Sequence, residues 1–176
     1  GLGYVYIRQL RFTPSSNSTT SGTFVIHAST RNSNSSLGGS TVTATITVNA
    51  VNDPPTTGDQ TIAATEDVSN VFASSNFTYA DTESSAISKI KITTLESAGT
   101  LYVDANGSDT YDSGEDVTLN QEIAIADIAN LQFIVAANAN GSTYATLSFK
   151  VHDGTANAPR AGPTTMNTPP NTHLTP

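Results

Sequence analysis

Several residue types that usually reveal a protein's chemistry are missing or rare in this chain of 176 residues. It contains no cysteine, which excludes disulfides, thiolate metal ligands and a cysteine nucleophile. It contains no tryptophan, so its core has to be built mainly from isoleucine, valine, leucine and phenylalanine. Only 12% of residues are charged, and the net charge of -8 argues against a nucleic-acid partner, which needs a basic surface.

Segments that would target the chain or perform catalysis are also lacking. No apolar run approaches the roughly 18 residues that span a bilayer, so we expect no membrane span. Residues 1–7 lack the basic start and cleavage site of a signal peptide, so we expect a mature piece or a fragment. The Gly-x-Ser-x-Gly sequence of a hydrolase nucleophile is absent. We therefore expect a protein that is not an enzyme, and no catalytic residue is predicted.

Acidic residues are missing from one part of the chain. Residues 1–52 contain no aspartate or glutamate, whereas all fifteen acidic residues lie from Asp53 onward. Three of the seven basic residues, Arg8, Arg11 and Arg31, lie in the acid-free part. This asymmetry predicts that any ligands for a cation come from the later part of the chain.

The clearest structural pattern lies in residues 41–55, TVTATITVNAVNDPP. Apolar Val42, Ala44 and Ile46 alternate with threonines, and this period of two predicts a half-buried strand. Residues 52–55, Asn-Asp-Pro-Pro, then end the pairing, because proline has no N–H to donate. A strand followed by a stiff linker predicts a boundary between two β-domains.

An internal repeat sets the predicted domain organisation. Residues 7–12, IRQLRF, resemble residues 128–133, IANLQF, about 120 positions later, which indicates duplication of a whole domain. Residues 1–50 are then the C-terminal half of one β-sandwich repeat, and residues 51–156 form the next repeat. Residues 157–176 remain as a tail rich in proline and threonine.

Further alternating segments predict an all-β fold, an antiparallel β-sandwich. The predicted strands of the second repeat lie at 77–80, 89–92, 101–103, 123–125 and 147–151. Asp127 is predicted to cap one short helical turn. Residues 164–176 show no alternation and contain three prolines, so the second repeat is predicted to lack its last strand.

The linker and the repeat ending resemble those of a known family. VNDPP at 51–55 resembles the linkers between the tandem cadherin-like, Ig-like repeats of large bacterial surface proteins. VHDG at 151–154 resembles the VxDG ending of those repeats. The resemblance implies an adhesion module that is secreted or lies at the cell surface. The partners that it implies are neighbouring repeats and a glycan or protein receptor on another surface.

Residues 104–115, DANGSDTYDSGE, have the oxygen spacing of a calcium loop of the EF-hand type. Side-chain oxygens fall at loop positions 1, 3, 5, 9 and 12, and position 7 offers its carbonyl. The predicted Ca²⁺ ligands are Asp104, Asn106, Ser108, Thr110, Asp112 and Glu115. Position 6, where such loops carry glycine for a sharp turn, is Asp109. A solvated turn between two strands is the alternative reading.

A second set of calcium ligands is implied by the resemblance. Cadherin-like repeats bind calcium at their junctions through a glutamate near the first strand, an Asp-x-Glu motif and the Asn-Asp of the linker. The matching residues are Glu66, Asp81, Glu83, Asn52 and Asp53. The paired aspartate motif of true cadherins is not found, and surface carboxylates near a junction are the alternative. Asp153 in the repeat ending is expected to shape a turn.

Two further functions stay open. A glycan-binding accessory module needs exposed aromatic residues, for which the candidates are Tyr4, Tyr6, Tyr102 and Tyr111. The second open function is that of a subunit of an extracellular filament. In that case residues 1–50 of one chain would complete the open sheet edge of the next, by head-to-tail assembly of identical subunits.

Overall fold

The computed structural model describes residues 11–27, 40–139, 141–159 and 162–168. The chain divides into two compact units, residues 1–51 and residues 52–176. The described residues form ten strands and two short 3-10 helices, which confirms the all-β fold class. No helix in the described part of the chain is long and apolar enough to cross a membrane.

In the first unit, β1 (Gly22–Ile26) pairs antiparallel with β2 (Val42–Ile46). The alternating strand predicted at 41–48 is therefore present as β2. Apolar side chains on both strands are nevertheless exposed: Val42 on β2 and Val25 on β1 each keep 62% of their surface in solvent. Residues 7–10 of the first repeat copy lie outside the described residues.

The second unit contains two sheets. The larger sheet has the order β3 (Gln60–Ala63), β10 (Gly162–Thr168), β9 (Gly141–His152), β5 (Lys89–Thr94) and β7 (Glu122–Ala124). Its strands pair antiparallel except for β3 and β10, which are parallel. The smaller sheet has the antiparallel order β4 (Ser69–Val71), β8 (Leu131–Ile134) and β6 (Thr100–Val103).

One hydrophobic core includes side chains from both sheets of the second unit. Alternate residues of each strand point to this core, as the pleat of a strand requires. The larger sheet contributes Ile90, Ile92, Leu147, Phe149, Val151 and Met166, and the smaller sheet contributes Leu101, Leu131 and Phe133. Phe149 has no exposed surface and meets Phe77 edge to face, with ring centroids 4.9 Å apart. This packing fixes the strands from which the loops emerge.

Two local predictions within the second unit are wrong. Residues 77–80 do not form a strand: Phe77 follows the 3-10 helix Ser74–Asn76, and Ala80 makes only an isolated bridge with Thr56. Asp127 does not cap a helix, because the 3-10 helix Ile125–Asn130 begins before it and Ala124 is its N-cap. Alternation over two aromatic residues was too short a signal to separate a strand from a turn.

The predicted tail is also wrong over residues 162–168, which form β10, an internal strand between β3 and β9. Thr164 and Met166 have no exposed surface, and Thr168 is buried too. The alternation was hidden in the sequence because two of the core-facing residues are threonines rather than apolar residues. Pro163 lies near the start of β10, before its pairing with β3 begins at Thr164, where a missing N–H is tolerated.

The position of β10 removes the basis for assembly by strand complementation. That hypothesis required a second repeat without its last strand, so that residues 1–50 of another chain could fill the gap. In the described structure β10 occupies a place between β3 and β9 of the same chain.

Candidate metal centre

The 104–115 loop follows β6 and is closed at its base by backbone pairing. Val103 N–H donates to the Glu115 carbonyl at 3.0 Å, and Tyr102 forms an isolated bridge with Asp116. One residue further out, Val117 N–H donates to the Leu101 carbonyl at 3.0 Å. These bonds hold the two ends of the loop together, so the ends of the predicted ligand set lie close in space.

Asp104, the first predicted ligand, organises the loop around its carboxylate. Its Oδ1 accepts the N–H groups of Gly107 at 2.7 Å and Ser108 at 3.1 Å, and its Oδ2 accepts Asp109 N–H at 2.8 Å. Burial raises the pKa of Asp104, but the hydrogen bonds from these backbone N–H groups outweigh burial and hold the pKa below its ordinary value. The carboxylate is therefore charged at neutral pH although only 4% of the residue is exposed.

Asp109 shows how the loop turns without the expected glycine. Its backbone has φ of 57°, in the left-handed region that glycine usually supplies at position 6 of such loops. Aspartate adopts this conformation more readily than most residues. The substitution at position 6 is thus compatible with the sharp turn.

The middle of the loop brings the remaining oxygens together around Ser108. Ser108 Oγ lies 3.0 Å from the Thr110 carbonyl oxygen and 3.2 Å from Asp112 Oδ2. Neighbouring oxygens in an octahedral shell with metal distances of about 2.4 Å are separated by about 3.4 Å. Asn106 Nδ2 donates to the same Asp112 Oδ2 at 2.8 Å. These oxygens therefore have nearly the spacing of a coordination shell, held by hydrogen bonds.

Glu115, the last predicted ligand, ties the end of the loop to its beginning. Its Oε1 accepts Ala105 N–H at 3.1 Å, and its Oε2 accepts Asp112 N–H at 3.0 Å. Both oxygens thus accept N–H groups of the loop backbone, which holds the Glu115 carboxylate against the loop. Within the part of the chain that the structure describes, no group of three or more His, Cys, Asp and Glu side chains lies close enough to hold a metal by itself.

The loop also covers two polar side chains, Gln132, which sequence reasoning missed, and Tyr102. The prediction of Tyr102 as an exposed aromatic residue of a glycan site is therefore wrong. Tyr4 and Tyr6 of the same prediction lie outside the described residues. Gln132 and Tyr102 are directly paired across β8 and β6, so their side chains share the face opposite to core residues Leu131 and Phe133. This face would ordinarily be exposed, yet Tyr102 has no exposed surface and Gln132 only 2%. Gln132 Nε2 lies 3.4 Å from Asp104 Oδ2. An outward-facing glutamine gave no sign in the sequence that a loop would bury it.

At the start of the second unit, the structure connects several of the residues implied by the resemblance. Asn52 Nδ2 donates to Asp153 Oδ2 at 2.9 Å, and Asp53 N–H donates to Glu83 Oε2 at 3.1 Å. The Ala156 N–H and the Asn52 amide, together with Thr155 N–H and His152, lower the pKa of Asp153 to about 2, against the opposing effect of burial. Asp153 does shape a turn, as predicted, and it also joins the linker.

Asp81 belongs to the same region. Its Oδ1 accepts Ser85 N–H at 2.8 Å, while its Oδ2 is buried and has no hydrogen-bond partner among the described residues. Burial raises the pKa of Tyr79, and the negative charges of Asp81 and Asp153 raise it further. Two carboxylates thus act on one tyrosine at this end of the unit.

Glu66 lies elsewhere. It is in the turn between β3 and β4, whereas the linker residues precede β3. Its Oε2 is buried without a hydrogen-bond partner in the described part of the chain. The structure shows no hydrogen bond that joins Glu66 to the other four predicted junction residues within the described ranges.

No protein-family model matches this chain, and neither a curated protein nor a solved structure does.

Proposed function

We propose that this chain is a non-enzymatic extracellular module, a cadherin/Ig-like β-sandwich that binds Ca²⁺ and serves as a structural or adhesive repeat of a surface protein. The observation that carries the proposal is the convergence of loop oxygens around Ser108, between the carboxylates at the two ends of the 104–115 loop. Calcium takes six to eight oxygen ligands, and carboxylate, amide, hydroxyl and carbonyl oxygens are its usual donors.

Binding of the ion requires one local exchange of hydrogen bonds. Asn106 now presents its amide N–H to Asp112 Oδ2, while its Oδ1 accepts Ser108 N–H at 2.8 Å. A cation between these groups favours the arrangement in which Asn106 Oδ1 and Asp112 Oδ2 both face the ion. The backbone N–H groups that hold Asp104 remain in place, while the loop tightens around the ion, because Asp104, Asp112 and Glu115 are not close enough to hold a metal by themselves.

A second ion is proposed at the start of the second unit. Asp81 Oδ2, which is buried without a partner among the described residues, is its proposed first ligand. The ion would draw in the carboxylates of Asp53 and Glu83 and the Asn52 oxygen, because the three carboxylates are not close enough to hold a metal by themselves. A cation would compensate the unpaired buried oxygen, whose desolvation is otherwise unfavourable. The connections of Asn52 and Asp153 would then stiffen the linker where it enters the unit.

Thermal melting with and without calcium tests the proposal. An ion that binds only the folded state stabilises it by about 2.7 kcal/mol at a hundredfold excess over its dissociation constant. For a chain of this size we expect the melting temperature to rise by about 5–10 °C in calcium. Asp104→Asn combined with Glu115→Gln should remove most of this rise, because the carboxylates at both ends of the loop are lost.

Asp127→Asn provides the matched control, since it removes an exposed carboxylate on a 3-10 helix outside the loop. It should leave the calcium response unchanged. Identical melting of the unmodified chain in calcium and in chelator would contradict the proposed function.

A further inference from the structure

A pocket of about 420 Å³ lies between strand β4 and the 104–115 loop, on the face of the smaller sheet that points away from the core. Its walls include Asp67, Val68, Ser69, Val71, Asp109 and Tyr111. The loop forms one wall, which includes Thr110 of the predicted ion ligands, and β4 with its preceding turn forms the other. Its volume lies within the range of small-molecule sites.

We propose that this pocket binds a neutral pyranose sugar, with the Tyr111 ring as the platform for the sugar's C–H face and Ser69, Asp67 and Asp109 as acceptors for its hydroxyl groups. The proposal goes beyond the calcium-binding function by assigning a ligand class to a site of its own. It rests on that function in one respect, that the ion orders the loop wall.

Tyr111 is held in position without a ligand. Its hydroxyl donates to Asp116 Oδ2 at 2.9 Å, and its ring meets the buried Tyr102 ring edge to face at a centroid distance of 5.5 Å. The residue nevertheless keeps 40% of its surface exposed. An aromatic face carries partial negative charge that attracts the weakly positive C–H groups of a sugar ring. A fixed ring loses little conformational freedom when a ligand stacks on it.

Ser69 Oγ can accept a hydrogen bond from a ligand because its own proton is donated within the chain of hydrogen bonds that links Ser69, Tyr102 and Gln132. Tyr102 OH donates its only proton to Gln132 Oε1 at 2.9 Å, so in the 2.6 Å contact with Ser69 Oγ the serine is the donor. The serine proton is then engaged and its oxygen lone pairs remain for a hydroxyl donor. Ser69 lines the pocket, where such a donor can reach it.

The charge of the walls selects a neutral ligand over an acidic one. The carboxylates of Asp67 and Asp109 are exposed, and the structure gives neither a hydrogen-bond partner among the described residues. They accept hydrogen bonds and repel anions, and the lining contains no lysine or arginine to offset them. Val68 and Val71, 50% and 56% exposed, supply the apolar surface that a sugar's C–H groups also need.

Calcium is expected to strengthen sugar binding through the shared loop. Asp109 lines the pocket, and its N–H donates to the carboxylate of Asp104. Ser108 and Thr110, the residues on either side of Asp109, are joined through Ser108 Oγ and the Thr110 carbonyl. Because Asp104, Ser108 and Thr110 are all proposed calcium ligands, the ion would order this wall of the pocket. Ordering this segment before the sugar arrives lowers the cost of binding it.

The test uses the full chain and a set of methyl glycosides: methyl α-D-mannopyranoside, methyl β-D-galactopyranoside and methyl N-acetyl-β-D-glucosaminide, with methyl β-D-glucuronide as the acidic member. Saturation-transfer NMR in calcium should show contact for at least one neutral glycoside and weaker contact for the glucuronide. Calorimetry should then show that Tyr111→Ala raises the dissociation constant by about tenfold. Leu119→Ala, at a residue 55% exposed outside the pocket, should leave it unchanged.

The two proposals fail in different ways. If the melting temperature responds to calcium but none of the neutral glycosides gives saturation transfer, the sugar site is refuted and the calcium loop stands. Equal affinity of the unmodified chain and Tyr111→Ala refutes it as well. Sugar binding that is lost in Tyr111→Ala but is identical in calcium and chelator retains the pocket and refutes its coupling to the loop.

Discussion

The two compact units differ in how far their strands are covered. In residues 1–51, β1 and β2 pair only with each other among the described residues, and Val25 and Val42 remain mostly exposed. In residues 52–176, β10 has a strand on each side and Met166 has no exposed surface. A two-stranded sheet has no second layer of its own to bury a face. Burial therefore depends on the neighbours of a strand more than on its own residues.

Truncating a core aromatic in the second unit should give the largest effect and separate the two units most clearly. Phe149→Ala removes a fully buried ring between the sheets, and we expect a loss of about 3–5 kcal/mol in the free energy of unfolding. Val25→Ala in the first unit should cost no more than about 0.5 kcal/mol, because that side chain is already exposed. Urea denaturation measures both, and similar losses would remove the distinction.

A smaller but more specific effect is expected in β10. Met166→Ala should lower the free energy of unfolding by about 2–5 kcal/mol, since the side chain is buried among the core residues. Thr165→Ala, on the opposite face of the same strand, is the control and should cost much less. If Met166→Ala has no effect, residues 162–168 do not contribute to the core, and the prediction of a tail without a strand would be correct there.

These strands also show what the sequence could and could not predict. β2, β5 and β6 were recognisable because their apolar residues alternate. β10 was not, because Thr164 and Thr168 take core positions that the pattern reserves for apolar residues. Pairing with β3, about a hundred residues away in sequence, determines its burial, and no local pattern reports a partner so distant.

The candidate sites divide in the same way. The 104–115 loop could be singled out from the sequence because its predicted ligands recur at fixed spacing within twelve positions. The sequence did not predict the hydrogen bond from Asn52 to Asp153 or the burial of Gln132 beside Asp104. Both contacts are between residues that are far apart in the chain. Ligands that lie within one loop can be predicted from the spacing of residues in the sequence, whereas contacts between distant segments depend on the fold.

The smallest expected effect concerns the Asn52 to Asp153 bond in acid. The pKa of Asp153 is lowered from 3.8 to about 2 in the folded chain, so its contribution to stability is present above pH 3.8 and is lost as the pH falls towards 2. Asp153→Asn should flatten this part of the stability curve, and Asn52→Ala should shift the loss to higher pH. Urea midpoints between pH 2 and pH 5 measure both, and unchanged curves would show that the linker is not tied to the unit.

Isothermal titration calorimetry of the intact chain with calcium tests whether the 104–115 loop binds the ion. We expect saturable binding, which Asp104→Asn combined with Glu115→Gln abolishes at the loop while Asp127→Asn leaves it intact. Asp81→Asn should remove only the contribution of the proposed second ion. Absence of calcium heat in the unmodified chain, or heat that persists unchanged in the loop variant, would show that the loop does not bind calcium.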